Sequence, residues 1–186
     1  MSKYFSTLFF FLFCLYLYSL VFGSLEISAF STVLFLSLNF ASYVDLKRME
    51  IPDIVSIGLF PVGAFWVIRV QPELLFQRLL EAISILLLFT LFSRVYTYLR
   101  HKEGLGFGDI KLIASATVWI GVGNIPIMIF FAACSGLIAS FYRFDKTVAN
   151  LPDTRIPFGP HLAASIWFVW FLTLLDLSDF EFMGLF

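Results

Sequence analysis

Residues 109–126 read Asp-Ile-Lys-Leu-Ile-Ala-Ser-Ala-Thr-Val-Trp-Ile-Gly-Val-Gly-Asn-Ile-Pro, and the charge-free run opening at Leu112 continues to Tyr142. Such a run exceeds the roughly 20 apolar residues that cross a bilayer as one helix. Gly121, Gly123, Asn124 and Pro126 interrupt it with a turn composition. The run therefore reads as a hairpin of two membrane spans. Outward from it lie further charge-free stretches, Tyr4 to Phe22, Ile27 to Val44, Ile54 to Ile68, and Leu74 to Leu99, the last with polar residues in its end turns. A final stretch from His161 to Leu175 is entered through the turn Pro157-Phe158-Gly159-Pro160. The expected fold class is all-α, a polytopic transmembrane helix bundle of about seven spans. Six are possible if the 112–142 hairpin is fused.

Composition agrees. Of 186 residues, 60% are hydrophobic, 19% aromatic and 13% charged, with 25 Phe and a mean hydropathy of +0.93. Soluble domains carry about twice that charge fraction, so these side chains cannot clothe a water-facing surface. The whole chain, 1–186, is expected to be a single integral-membrane domain with no separate soluble domain. A net charge of -1 without any block of like charges gives no basis for nucleic-acid binding by counterion release. Cys14 and Cys134 lie in different apolar stretches, with no CxxC, which argues against a zinc site or disulfide framework. No metal or cofactor is expected.

Lys and Arg accumulate in short cytoplasmic connections. With the N-terminus inside, Lys3, Lys47, Arg48, Arg94, Arg100, Lys102, Lys111, Arg143, Lys146 and Arg155 are cytoplasmic, leaving Arg69 and Arg78 outside with Asp176, Asp179 and Glu181. Six spans would move the 143–155 group outside, so the charges favour seven. The first run could instead be a signal peptide, but its core is longer than usual and lacks a small-x-small cleavage site.

Two acids stand out. Asp45 closes the second span and Asp109 opens the fifth on the same side, and that fifth span, reaching its turn near Gly123, is only roughly 22 Å long. Both acids then sit at one depth, with Asp109 just within the membrane edge. The ordinary reading is two solvated carboxylates near Lys47, Arg48 and Lys111. Three features oppose it. Asp109 follows Gly104-Leu-Gly106-Phe-Gly108, and glycines permit backbone conformations and close approach that other residues forbid. Asp109 reads as a helix N-cap, whereas Asp45, at a helix C-terminus, meets the opposite backbone field. A pair split in this way can supply one base and one acid. The glycine run is not a nucleotide site, since it reads G-x-G-x-G-D and lacks a preceding strand or a P-loop Lys-Ser/Thr.

Asp45-Leu-Lys-Arg-Met-Glu-Ile-Pro-Asp53, then Gly106-Phe-Gly-Asp-Ile-Lys-Leu112, then Ile156-Pro-Phe-Gly-Pro-His-Leu-Ala163 together resemble, in order and spacing, the type IV prepilin peptidases. These are polytopic GxGD-type aspartyl proteases of the cell membrane. The resemblance implies that Asp45 and Asp109 are the catalytic pair, with Gly106, Gly108, Lys111 and the Pro157, Phe158, Gly159, Pro160 segment shaping the site. Bifunctional members insert a cysteine-rich methyltransferase domain near their first spans; here only Gly23 to Glu26 separates the first two. A short, peptidase-only form without N-methylation is expected.

The implied reaction is attack of a water, held between the carboxyls, on the peptide bond after the basic leader of a type IV prepilin-like precursor. One carboxylate accepts the water's proton and the other acid donates to the carbonyl oxygen. Glu50, Asp53 and Glu103 are candidates for attracting the leader, against the plainer reading of loop solvation beside Lys47, Arg48 and Lys102. Lys111 either acts on Asp109 or snorkels to the interface. His161 reads as a helix-start surface residue. The Phe-rich first two spans read as lipid-exposed framework, and Trp119, Trp167 and Trp170 as packing or interfacial residues. Ala132, Gly136 and Ser140 form a small-residue ladder that admits a close helix neighbour. The alternatives are a small membrane transporter, disfavoured because no acid lies at mid-span, or a noncatalytic assembly subunit. Neither the oligomeric state nor the particular precursor is legible.

Overall fold

The computed structural model describes residues 12–17, 24–101, 104–144 and 157–182, with side chains described to Ser140 and to Leu175 in the last two stretches. Most of the Tyr4 to Phe22 run, Lys3, Lys102, Glu103, Lys146, Arg155 and Ile156 lie outside the described residues, as do the side chains of Arg143, Asp176, Asp179 and Glu181. A helical stretch at 12–17, α1, precedes α2 (Leu25–Arg48), α3 (Asp53–Val70), α4 (Leu75–Arg100), α5 (Phe107–Ile120), α6 (Ile125–Phe144) and α7 (Gly159–Phe182). Short 3-10 turns, Pro72–Leu74 and Val122–Asn124, close two of the hairpins. The second to seventh expected spans each correspond to one helix in the same order, the first being described only at 12–17, and the chain is a polytopic helical membrane protein.

Among the described residues four stretches are long and apolar enough to cross a bilayer: Leu25–Arg48, Asp53–Val70, Pro72–Arg100 and Val122–Ser140. The apolar part of α7, Gly159–Leu175, is shorter. Helix α5, with 14 residues, is about 21 Å long. Its end is set by Gly121, at φ 77°, in the left-handed half of backbone space that favours glycine. This is the turn expected from the composition of 121–126.

The core runs through α5. Ile110 and every residue from Leu112 to Ile120 are buried, and α3, α4 and α7 pack around them. The indole N–H of Trp119 donates to the carbonyl of Leu59 at 2.9 Å, and Gly63 makes room for that ring, since a Cβ there would lie 2.5 Å from Trp119 Nε1. Trp170 meets Trp66 and Trp119 edge-on at 5.1 and 5.3 Å between centroids, contacts worth about 0.5–1.5 kcal/mol each beyond area burial.

Helix α2 corrects an expectation. It is not simply lipid-exposed framework: Ser31, Leu34, Phe35, Leu38, Ala41 and Asp45 are buried, a stripe at helical spacing that packs against α7. Polar groups on this stripe find partners, Trp170 Nε1 donating to Ser31 Oγ at 3.2 Å. Trp119, Trp167 and Trp170 are packing residues, all buried. The small-residue ladder of α6 faces α7, where Gly136 lies nearest His161 and Phe158.

The hairpin order brings the ends of α2, α4 and α6 to one side with the starts of α3, α5 and α7. Lys47, Arg48, Arg100 and Lys111 belong to that end. Arg69 and Arg78 belong to the other, where Arg69 pairs with Glu26 and Arg78 with Glu81.

Candidate active site

Asp45 lies in the last turn of α2. That helix stops when Met49 takes a left-handed conformation and donates its N–H to the Asp45 carbonyl at 2.8 Å. The stripe that buries Leu34, Leu38 and Ala41 ends on Asp45, which is only 5% exposed. Its Oδ2 accepts the backbone N–H of Gly159 at 2.9 Å. Gly159 opens α7, so the carboxylate satisfies one of the donors that a helix start leaves unpaired. Asp45 thus faces the positive end of a second helix, and the expectation that it meets only the field of its own C-terminus is corrected.

The contact dictates the residues around it. A Cβ at position 159 would lie 2.7 Å from Asp45 Oδ2 and 2.8 Å from its Cγ, so only glycine fits. Pro160 follows within the first turn, where a missing N–H leaves nothing unsatisfied. The Phe158 carbonyl accepts from His161 and Leu162, both at 3.0 Å. His161 is not a surface residue: it is buried, and its Nδ1 lies 3.1 Å from Ser135 Oγ on α6, because α7 starts inside the bundle.

Asp109 is not the N-cap of α5. The cap is Gly106, in extended conformation and without a side-chain bond, and helical bonding begins with Ile110 N–H to Gly106 carbonyl at 3.2 Å. Asp109 falls within the first turn, half-buried, its carboxyl folded back over Gly106, where a Cβ would lie 3.0 Å from Oδ2. Gly108 lies against the α2–α3 turn, with a Cβ there 3.2 Å from that of Ile51 and 3.5 Å from its backbone. Neither glycine uses a left-handed backbone; among the described residues Gly121 is the only glycine at positive φ. Their role is close approach. The preceding loop is tied back to α4, Ser93 Oγ donating to the Leu105 carbonyl at 3.1 Å.

Both acids line one cavity of about 810 Å³, with Gly106, Gly108, Lys111, Glu50 and Asp53 also on its wall. Lys111 is directed elsewhere: its Nζ lies 2.6 Å from Asp53 Oδ1 and 4.7 Å from the centre of the Phe107 ring, pinning the start of α3 to that of α5. Of the suggested leader-binding acids, Glu50 is exposed, Asp53 is engaged by Lys111, and Glu103 lies outside the described residues. Tyr43, not singled out from sequence, and Lys47, read there as a solvating neighbour of the acids, also line the cavity, and Lys47 donates to the Tyr43 hydroxyl. Their spacing from Asp45 on α2 was the available signal.

A helical membrane bundle that gathers two carboxyls, from helices far apart in the chain, into one cavity at its end defines the class of protein. Residues 32–141, which include both acids, match the type IV leader peptidase family. The chain belongs to that family. It is similar to the prepilin leader peptidase/N-methyltransferase of Xanthomonas campestris, 30% identical over 156 residues, 81% of this chain and 50% of that protein. Leader peptidase HopD of Escherichia coli is 32% identical over 134 residues, 70% of this chain and 84% of that protein. The corresponding peptidase/N-methyltransferase of Neisseria gonorrhoeae is 29% identical over 129 residues, 69% and 43%. The chain therefore spans about half the length of the Xanthomonas and Neisseria relatives. No solved structure matches it.

Proposed function

We propose that the chain is an aspartic endopeptidase of the GxGD type that removes the basic leader from type IV prepilin-like precursors. It works as one integral-membrane domain in the inner membrane, N-terminus in the cytoplasm, with its acid pair at the cytoplasmic face. The observation that carries the reading is the shared cavity of Asp45 and Asp109, and the family membership of the chain supports it.

Like charges at close range do not both ionise easily, so the pair holds one proton between two carboxyls. The ionised member takes a proton from water as the water oxygen bonds to the scissile carbonyl carbon, and the protonated member donates to the carbonyl oxygen. Collapse of the tetrahedral diol breaks the C–N bond while the amine takes up a proton. The leader leaves as a carboxylate and the mature protein gains a free amino terminus. Gly159 N–H holds one Asp45 oxygen in place, and the close packing at Gly106 and Gly108 sets the start of α5 so that Asp109 lines the same cavity.

The test is incubation of the purified chain, in detergent or liposomes, with a precursor carrying a basic leader and an apolar helix. Mass spectrometry should record loss of the leader alone. An unchanged precursor mass sinks the proposal and leaves transport or a noncatalytic assembly role, the former detectable as proton flux into liposomes.

A further inference from the structure

Beside the acid cavity lies a second hollow, an apolar groove of about 400 Å³ between α2 and α3, walled by Val33, Leu36, Phe40, Ile54, Gly58 and Val62 among others. Phe40 and Ile54 line both hollows, so the groove adjoins the site across these two side chains. It runs from Ile54 to Val62, about 12 Å or roughly two helical turns. Beyond its far end Phe30 of α2 meets Phe65 and Trp66 of α3, at 5.9 and 5.2 Å between centroids. Toward the membrane it is open, with Leu36 and Ile54 exposed.

Gly58 is the second observation. Several glycines inside the helices are demanded by a neighbour, Gly63 by Trp119, Gly108 by Ile51 and Gly159 by Asp45, whereas the other open one, Gly123, lies in the turn between α5 and α6. A Cβ at Gly58 meets nothing within 4 Å, and glycine within a helix costs about 1 kcal/mol relative to alanine. Among the described residues no contact accounts for it. In membranes, small residues let a second helix come close.

We infer that this groove receives the first apolar turns of the substrate, the segment that follows the scissile bond. The inference rests on the peptidase reading. A polypeptide cut between Asp45 and Asp109 continues as an apolar helix that must enter the bilayer beside the acids, and the α2–α3 groove adjoins their cavity and opens into the bilayer. Phe40 and Ile54 form the threshold, and Gly58 sets how closely the substrate helix approaches.

The test compares two substrates: the membrane-embedded precursor and a soluble peptide spanning the cleavage site without the apolar helix. Gly58→Leu fills the groove and should lower kcat/KM for the precursor by about tenfold, mainly through KM, while peptide cleavage holds; Gly58→Ala, with open space around it, should be the milder change. Equal precursor cleavage by Gly58→Leu and the unaltered protein overturns the inference. Should Gly58→Leu lose both substrates, crosslinking decides. In an Asp109→Asn chain with Cys14 and Cys134 replaced by serine, cysteines at positions 36 and 58 should couple to one placed two turns after the cleavage site, and one at exposed Phe130 should not. Coupling at Phe130 alone, or at none, overturns it. Failure of the unaltered protein to cut either substrate would instead remove the peptidase reading beneath it.

Discussion

Gly159 donates its backbone N–H to Oδ2 of Asp45 at 2.9 Å, joining the start of α7 to the end of α2 across the site. The first carboxyl is thereby positioned by a residue with no side chain of its own. Gly159→Ala should displace the Asp45 carboxyl and lower the cleavage rate by up to about a hundredfold, while circular dichroism shows the helices intact. Wild-type activity in this variant would separate the hydrogen bond from catalysis.

Asp45→Asn and Asp109→Asn are near-isosteric and should each reduce cleavage by about a thousandfold without altering membrane insertion. Leader release scored by mass spectrometry checks this. Activity surviving in either variant takes that carboxyl out of the mechanism.

The Asp53–Lys111 pair is partly exposed and should contribute little more than about 1 kcal/mol to stability. Asp53→Asn or Lys111→Met should move the melting temperature slightly. Because Asp53 is already engaged, Glu50→Gln should raise KM for a basic leader more than Asp53→Asn does, and the difference should fade as salt screens the exposed charge. Steady-state kinetics at low and high salt measure both effects.

Gly63→Ala would press a methyl group toward the Trp119 ring and should destabilise the protein by about 1–3 kcal/mol. Trp119→Phe removes the bond to the Leu59 carbonyl and should cost about 1–2 kcal/mol. Since the sites touch, the double variant should be less than additive, as thermal unfolding in detergent would reveal.

Much of this architecture was legible because lipid leaves so few choices. Charge-free runs mark spans, and Gly121 with Asn124 and Pro126 marked the hairpin now seen between α5 and α6. That Asp45 and Asp109 would lie at one end of the bundle was legible from the end at which each span stops or starts, and both line one cavity there. What failed were readings that need a neighbour to be known. Asp109 looked like a cap because it follows the last glycine, yet the helix begins at Phe107. His161 looked exposed because it sits near a helix start, yet α7 starts inside the bundle. The buried stripe of α2 was hidden among phenylalanines, since a membrane helix is apolar on its outer face as well as its inner one. Lys111 was undecidable from sequence because its partner, Asp53, sits on a different helix.

Helix α5 is short and almost wholly enclosed, whereas α4, of 26 residues, buries only Ala82 and Ile85. A segment sheathed by its neighbours has no surrounding fat to match in thickness, so its length is free to be set by how deep its first turn must lie. A brief inner post within a taller wall leaves a recess at one end of the barrel-like bundle. On the peptidase proposal, that recess is where water would reach the bond to be cut.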